Sequence, residues 1–141
     1  MKSTDTIHVS PRRIDQLKAI AAARNTSVSD AIGHMIRKEI AEGTIPANIP
    51  GIVIKRTDAG VSVQLDDGPV KVMSVKSAVN LVEAIRDSVA LGRKIVGPTC
   101  GYSIEPRGRG FKLFVPDPGE GISLSGDLAL DIADQIEQAV A

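Results

Sequence analysis

Residues 3–43 read S-T-D-T-I-H-V-S-P-R-R-I-D-Q-L-K-A-I-A-A-A-R-N-T-S-V-S-D-A-I-G-H-M-I-R-K-E-I-A-E-G, and their pattern decides how the chain begins. Ile7 and Val9 alternate with Thr6, His8 and Ser10, the period-2 signal of a short half-buried strand. Ser10 offers an N-cap oxygen and Pro11 suits the first helical position, so a helix is expected from there. Ile14, Leu17, Ile20 and Ala21 fall on one face of it. Asn25 tolerates the left-handed conformation that ends a helix. Ser27 caps a second helix, and Asp30 suits the positive end of its dipole. Val28, Ile32, Met35, Ile36 and Ile40 make a second apolar face, and Gly43 is a stop signal.

One strand and two helices in about 40 residues bury too little surface to fold alone. The strand also lacks a partner within the stretch. Both problems vanish if two copies pair their strands antiparallel and interlock their helices. That arrangement resembles the ribbon-helix-helix family of dimeric DNA-binding proteins. Its most specific part here is Asn25-Thr26-Ser27-Val28-Ser29-Asp30-Ala31-Ile32, similar to the family's small-residue turn, serine pair and acidic residue opening the second helix. The resemblance covers only the first third of the chain.

The resemblance implies a β-ribbon lying in the DNA major groove. With Ile7 and Val9 facing inwards, parity turns Thr4, Thr6 and His8 outwards, so these three are the expected base contacts. Lys2, Arg12 and Arg13 are expected near backbone phosphates. Ser27, Val28 and Ser29 supply free amides and hydroxyls at a helix N-terminus, an expected phosphate site that positions the ribbon without reading sequence. His8 is shorter than the basic or amide side chain often seen at such a position, and Asp30 opposes a nearby phosphate slightly.

Composition is that of a globular chain, with 43% hydrophobic and 24% charged residues. The 17 basic and 17 acidic side chains cancel, which disfavours a non-specific DNA coater. Residues 1–46 hold seven basic and five acidic side chains, a small local excess of +2. A single cysteine, Cys100, excludes an intramolecular disulfide and fits a reducing compartment. Cys100, His8 and His34 are scattered, so neither a metal site nor any other cofactor is expected. No signal-peptide core or membrane-length apolar run occurs, and a cytoplasmic protein with no membrane partner is the expectation.

Residues 44–51, T-I-P-A-N-I-P-G, read as a stiff proline-rich linker. Beyond it the chain repeats. Ile54, Gly60, Val61, Val63 and Leu65 recur 50 positions later as Ile104, Gly110, Phe111, Leu113 and Val115. Ser74, Ala78, Leu81, Ile85 and Val89 recur 51 positions later as Ser125, Ala129, Ile132, Ile136 and Val140. Residues 52–141 are therefore expected to be a duplicated β-β-β-α domain, with copies at 52–92 and 102–141 sharing one core of sheet and helices. The expected class is α+β: a ribbon-helix-helix domain over 1–43, then an antiparallel sheet with two helices.

Three functional classes follow. The first is a sequence-specific double-stranded DNA-binding regulator, a repressor, that works as a homodimer. Its C-terminal domain would then sense an effector, bind a protein partner or build higher oligomers. The second is an antitoxin or other interaction module whose C-terminal domain binds a protein, with DNA binding autoregulatory. The third is an enzyme. The carboxylates Glu83, Asp87, Asp131, Asp134 and Glu137 lack an accompanying nucleophile, histidine base or phosphate cradle, so no catalytic residues are assigned and these acids are read as solvated faces. Arg107 and Arg109 at a hairpin tip are read as a solvated turn, since the matching turn of the first copy is acidic.

Overall fold

The computed structural model describes residues 6–97 and 101–141. The described chain is α+β, with four helices and two antiparallel sheets. It divides into two units, Met1–Ile45 and Pro46–Ala141.

The first unit is a helix pair. Helix α1 spans Pro11–Ala23 and α2 spans Val28–Ala41. Pro11 opens α1, but the Ser10 side chain makes no cap bond, contrary to expectation. The Ser10 carbonyl alone holds the first turn, accepting from the amides of Arg13 and Ile14 at 2.9 and 3.0 Å. Asn25 takes the left-handed conformation, with φ of 53°, and the chain reverses there. Ser27 caps α2 by accepting the Asp30 amide at 3.0 Å. Thr6–Ser10 forms no strand and is exposed throughout. A ladder needs a second strand to bond to, and among the described residues none lies beside this segment. The β-α-α order expected from the sequence is therefore seen here only as its two helices.

The second unit carries the repeat. In its first copy, β1 (Ile52–Thr57), β2 (Gly60–Leu65) and β3 (Lys71–Met73) form a three-stranded sheet, followed by α3 (Val75–Leu91). In the second copy, β5 (Ser103–Arg107), β6 (Gly110–Phe114) and β7 (Ile122–Leu124) are followed by α4 (Gly126–Val140). An additional strand, β4 (Ile95–Val96), lies where a connector is expected; it pairs with β5 and makes this sheet four-stranded. Two sheets are present where a single one was expected.

The copies match pair by pair. Ile54 lies opposite Val63 as Ile104 lies opposite Leu113, and each first hairpin closes on a glycine, Thr57 on Gly60 and Arg107 on Gly110. A Cβ on either glycine would collide with the backbone of the third strand, at Met73 and Leu124 respectively. Ser74 and Ser125 cap their helices identically, accepting the amides of Ser77 and Leu128 at 3.1 Å.

Helix α3 packs against β2 and β3 of its own copy and also crosses to β5 of the other, α4 packs against β6 and β7 and also crosses to β1 and β2, and α3 and α4 pack on each other. One hydrophobic core results, drawn from both copies; Leu81, Ile85, Ile104, Leu113, Ile132 and Ile136 are all fully buried in it. The crosswise packing explains why a 40-residue copy need not fill a core of its own. Residues 46–51 belong to this unit: Ile49 packs against the core, and Gln135 Nε2 donates to the Ala47 carbonyl at 2.7 Å. Arg56 reaches across from β1 to donate to the Val140 carbonyl at the end of α4, at 3.2 Å.

Asp134 and Glu137, read as solvated, meet a cation from the other copy. Arg86 on α3 donates to Asp134 and Glu137 on α4 at 2.8 Å each. These hydrogen bonds raise the Arg86 guanidinium above its usual range and hold the Glu137 carboxyl below the usual carboxylate range. Arg86 and Glu137 stand 51 positions apart, so the pair joins equivalent positions of the two copies.

Candidate nucleic-acid interface

The first unit is unfilled. Only Ala21, Ala31 and Gly33 are buried in its two helices. Its large apolar residues stay open: Ile36 is 48% exposed, Ile32 and Ile14 each 41%, and Ile7 85%. Val9, Ile20 and Met35 are exposed too. All of these except Ile7 and Val9 lie on the apolar faces of α1 and α2. Fully burying one such side chain contributes about 1.5–3 kcal/mol, so five of them held at 37–48% exposure realise only part of what would hold a helix pair together. Apolar side chains left this exposed in so small a unit make these faces the candidate surface for a partner.

The candidate DNA-contacting residues fall in two places. Thr6 and His8 are exposed on the extended segment before α1. Thr4 and Lys2 lie outside the described residues. Arg12 and Arg13 follow in the first turn of α1, where they line an open depression of about 540 Å³ with Ser10, Asp15 and Gln16. Arg13 donates to Gln16 Oε1 at 2.8 Å, which steers its guanidinium along the helix. Two cations at a helix N-terminus oppose its dipole, a small cost that a phosphate between them would reverse.

The second place is the start of α2. The Ser27 cap engages the amide of Asp30, and the Ser27 carbonyl accepts the amide of Ala31 at 3.0 Å. The amides of Val28 and Ser29 precede the helical ladder and take no part in the cap. Ser27 and Ser29 are exposed and Val28 is half-buried. Thr26 Oγ1 donates to Asp30 Oδ2 at 3.1 Å, which draws that carboxylate back towards the turn.

His34, on α2, is exposed. Among the described residues no three His, Cys, Asp or Glu side chains gather as metal ligands. Nor is any described helix long and apolar enough to cross a membrane. Cys100 lies outside the described residues. Arg86 is a residue that sequence reasoning misses, because its partners are 48 and 51 residues away; the repeat register, which aligns Arg86 with Glu137, is the available signal. No family model, curated protein or solved structure matches this chain.

Proposed function

We propose that this protein is a sequence-specific double-stranded DNA-binding regulator, a repressor, whose first unit is completed by a second copy of itself. Two Thr6–Ser10 segments pair antiparallel as a ribbon, and the exposed faces of α1 and α2 close over each other. The observation that carries this reading is the contrast between the open apolar face of the helix pair and the filled core of residues 46–141. In the ribbon, Ile7 and Val9 turn into the shared interior, and Thr4, Thr6 and His8 face the major groove. The threonines offer a hydroxyl and a methyl to base edges, and His8 offers a ring nitrogen. Lys2, Arg12, Arg13 and the amides of Val28 and Ser29 take phosphates and fix the register.

The test is a selection of bound fragments from random duplex DNA, followed by titration of the selected site. The selected site should show approximate two-fold symmetry. Thr6→Ala and His8→Ala should each weaken binding by about 1–3 kcal/mol for every base edge the side chain no longer reaches, with the dimer intact. Affinity should fall as salt rises, because phosphate binding releases counterions. Unchanged affinity in both variants would remove the ribbon from DNA recognition.

A further inference from the structure

The two copies of the repeat differ on the outward faces of their helices. On α3, Val75 and Val79 are 37% and 39% exposed, and Lys76, Asn80 and Glu83 beside them are exposed too. The other side of the helix holds Ala78, Leu81, Ile85 and Ser88 in the core. Lys76 and Glu83 stand seven residues apart, so they lie nearly above one another on a single line along α3. Among the described residues neither holds an ion pair. Arg86, the next cation on this helix, is taken by Asp134 and Glu137 of α4.

That line is complementary to itself. Its midpoint falls between Val79 and Asn80. A two-fold axis there, perpendicular to the helix, brings Lys76 of one chain level with Glu83 of the partner subunit, and does so twice. The axis also keeps like sides together. Val79 meets Val79 of the partner subunit, with Val75 of each chain extending the apolar seam, and on the other side Asn80 meets Asn80 of the partner subunit. Asp87 falls past the first residue of the facing helix, so no like charges oppose. The matching face of α4 has none of this. Val75, Lys76, Val79 and Glu83 correspond, 51 positions on, to Gly126, Asp127, Leu130 and Asp134. The same axis on α4 would set Asp127 against Asp134, carboxylate against carboxylate.

We propose that α3 is a self-association surface, which packs antiparallel on α3 of a second copy of the chain about a two-fold axis between Val79 and Asn80. The paired charges fix direction and register, since a parallel pair would set Lys76 against Lys76 of the partner subunit. The valines supply the apolar contact, because exposed ion pairs alone hold little. This pairing stands on α3 and does not depend on the DNA-binding reading. Where the first units also pair, the second α3 is tethered close by, which raises its effective concentration.

The test uses full-length chains carrying Cys100→Ser, with Val79→Cys or Asp87→Cys, mildly oxidised. Position 79 lies next to the axis, within disulfide reach of its counterpart for helices packed about 8–10 Å apart. Position 87 lies about 20 Å from its own. The expected result is a 79-to-79 disulfide, identified by mass, with no 87-to-87 link. Adding Lys76→Glu to the Val79→Cys chain should abolish its link, and so should Glu83→Lys. Co-expressing those two charge variants should restore the link, now joining one chain of each kind, because their charges again oppose. No 79-to-79 link, equal links at 79 and 87, or a link that Lys76→Glu leaves unchanged overturns the proposal. None of these outcomes bears on the first unit, whose pairing is read by sedimentation of Ile36→Glu.

Discussion

The two units use their apolar residues in opposite ways. In residues 46–141, Ile85 and Ile136 sit on helices that cross onto the other copy's strands and are wholly buried. In the first unit, Ile14, Ile32 and Ile36 occupy equally regular helical faces and remain open to water. The helices themselves are equally well formed; what differs is what lies opposite them. The repeat carries its own partner in the same chain, so its core closes within one protomer. The helix pair has no second copy in the chain, and the proposed dimer would supply the surface that covers it.

That contrast can be broken by substitution. The largest effect is expected at Ile36→Glu, which places a charge where two chains should meet. At about 2–3 kcal/mol for each of two chains, dimerisation through the first unit should weaken on the order of a thousandfold or more. Sedimentation over a concentration series reads this, and the thermal unfolding of the second unit should not move. In the second unit, Ile136→Ala should cost about 2–5 kcal/mol through the forgone transfer energy and the cavity left behind, read by denaturant unfolding. The effect there should be independent of protein concentration, because that core is complete in one chain.

Cap substitutions sharpen the comparison at smaller scale. Ser74→Ala or Ser125→Ala removes a bond that a helix amide donates at 3.1 Å and should cost about 1 kcal/mol. Ser10→Ala should cost less than either, since the Ser10 side chain holds no such bond. The smallest effect is expected at the exposed pair of Arg86 and Glu137. Glu137 has its carboxyl depressed by the Arg86 hydrogen bond, so its contribution is fully present above the ordinary value of 4.5 and disappears as pH falls through the lowered folded value. Glu137→Gln should flatten that part of the stability profile below pH 4.5 and leave neutral pH nearly unchanged.

Much of this layout is legible in the residues. Pro11, Asn25, Ser27 and Gly92 mark helix ends because each has a backbone reason to sit there, and the structure places left-handed φ at Asn25 and Gly92. The repeat is legible because matching hairpins need matching glycines and inward-facing positions, as at Gly60 and Gly110. The crosswise packing is not. Periodicity tells which face of α3 is apolar, but both sheets offer an equally apolar surface to receive it. Strand β4 escapes a sequence reading because two residues carry no period and the equivalent Ile45-Pro46 forms no strand. The Ser10 side chain makes no cap bond, although its carbonyl accepts helix amides as those of Ser27, Ser74 and Ser125 do. At the candidate interface the residue types are readable, but Thr6 and His8 are exposed and the described residues place nothing opposite them.

The most direct test is amide hydrogen exchange of the full-length protein, resolved over Thr6–Ser10. A ribbon completed by a second chain predicts that every other amide in this segment is protected, and that protection disappears in Ile36→Glu. Exchange at the rate of a free peptide throughout the segment, in a protein whose α1 and α2 are fully protected, would contradict it.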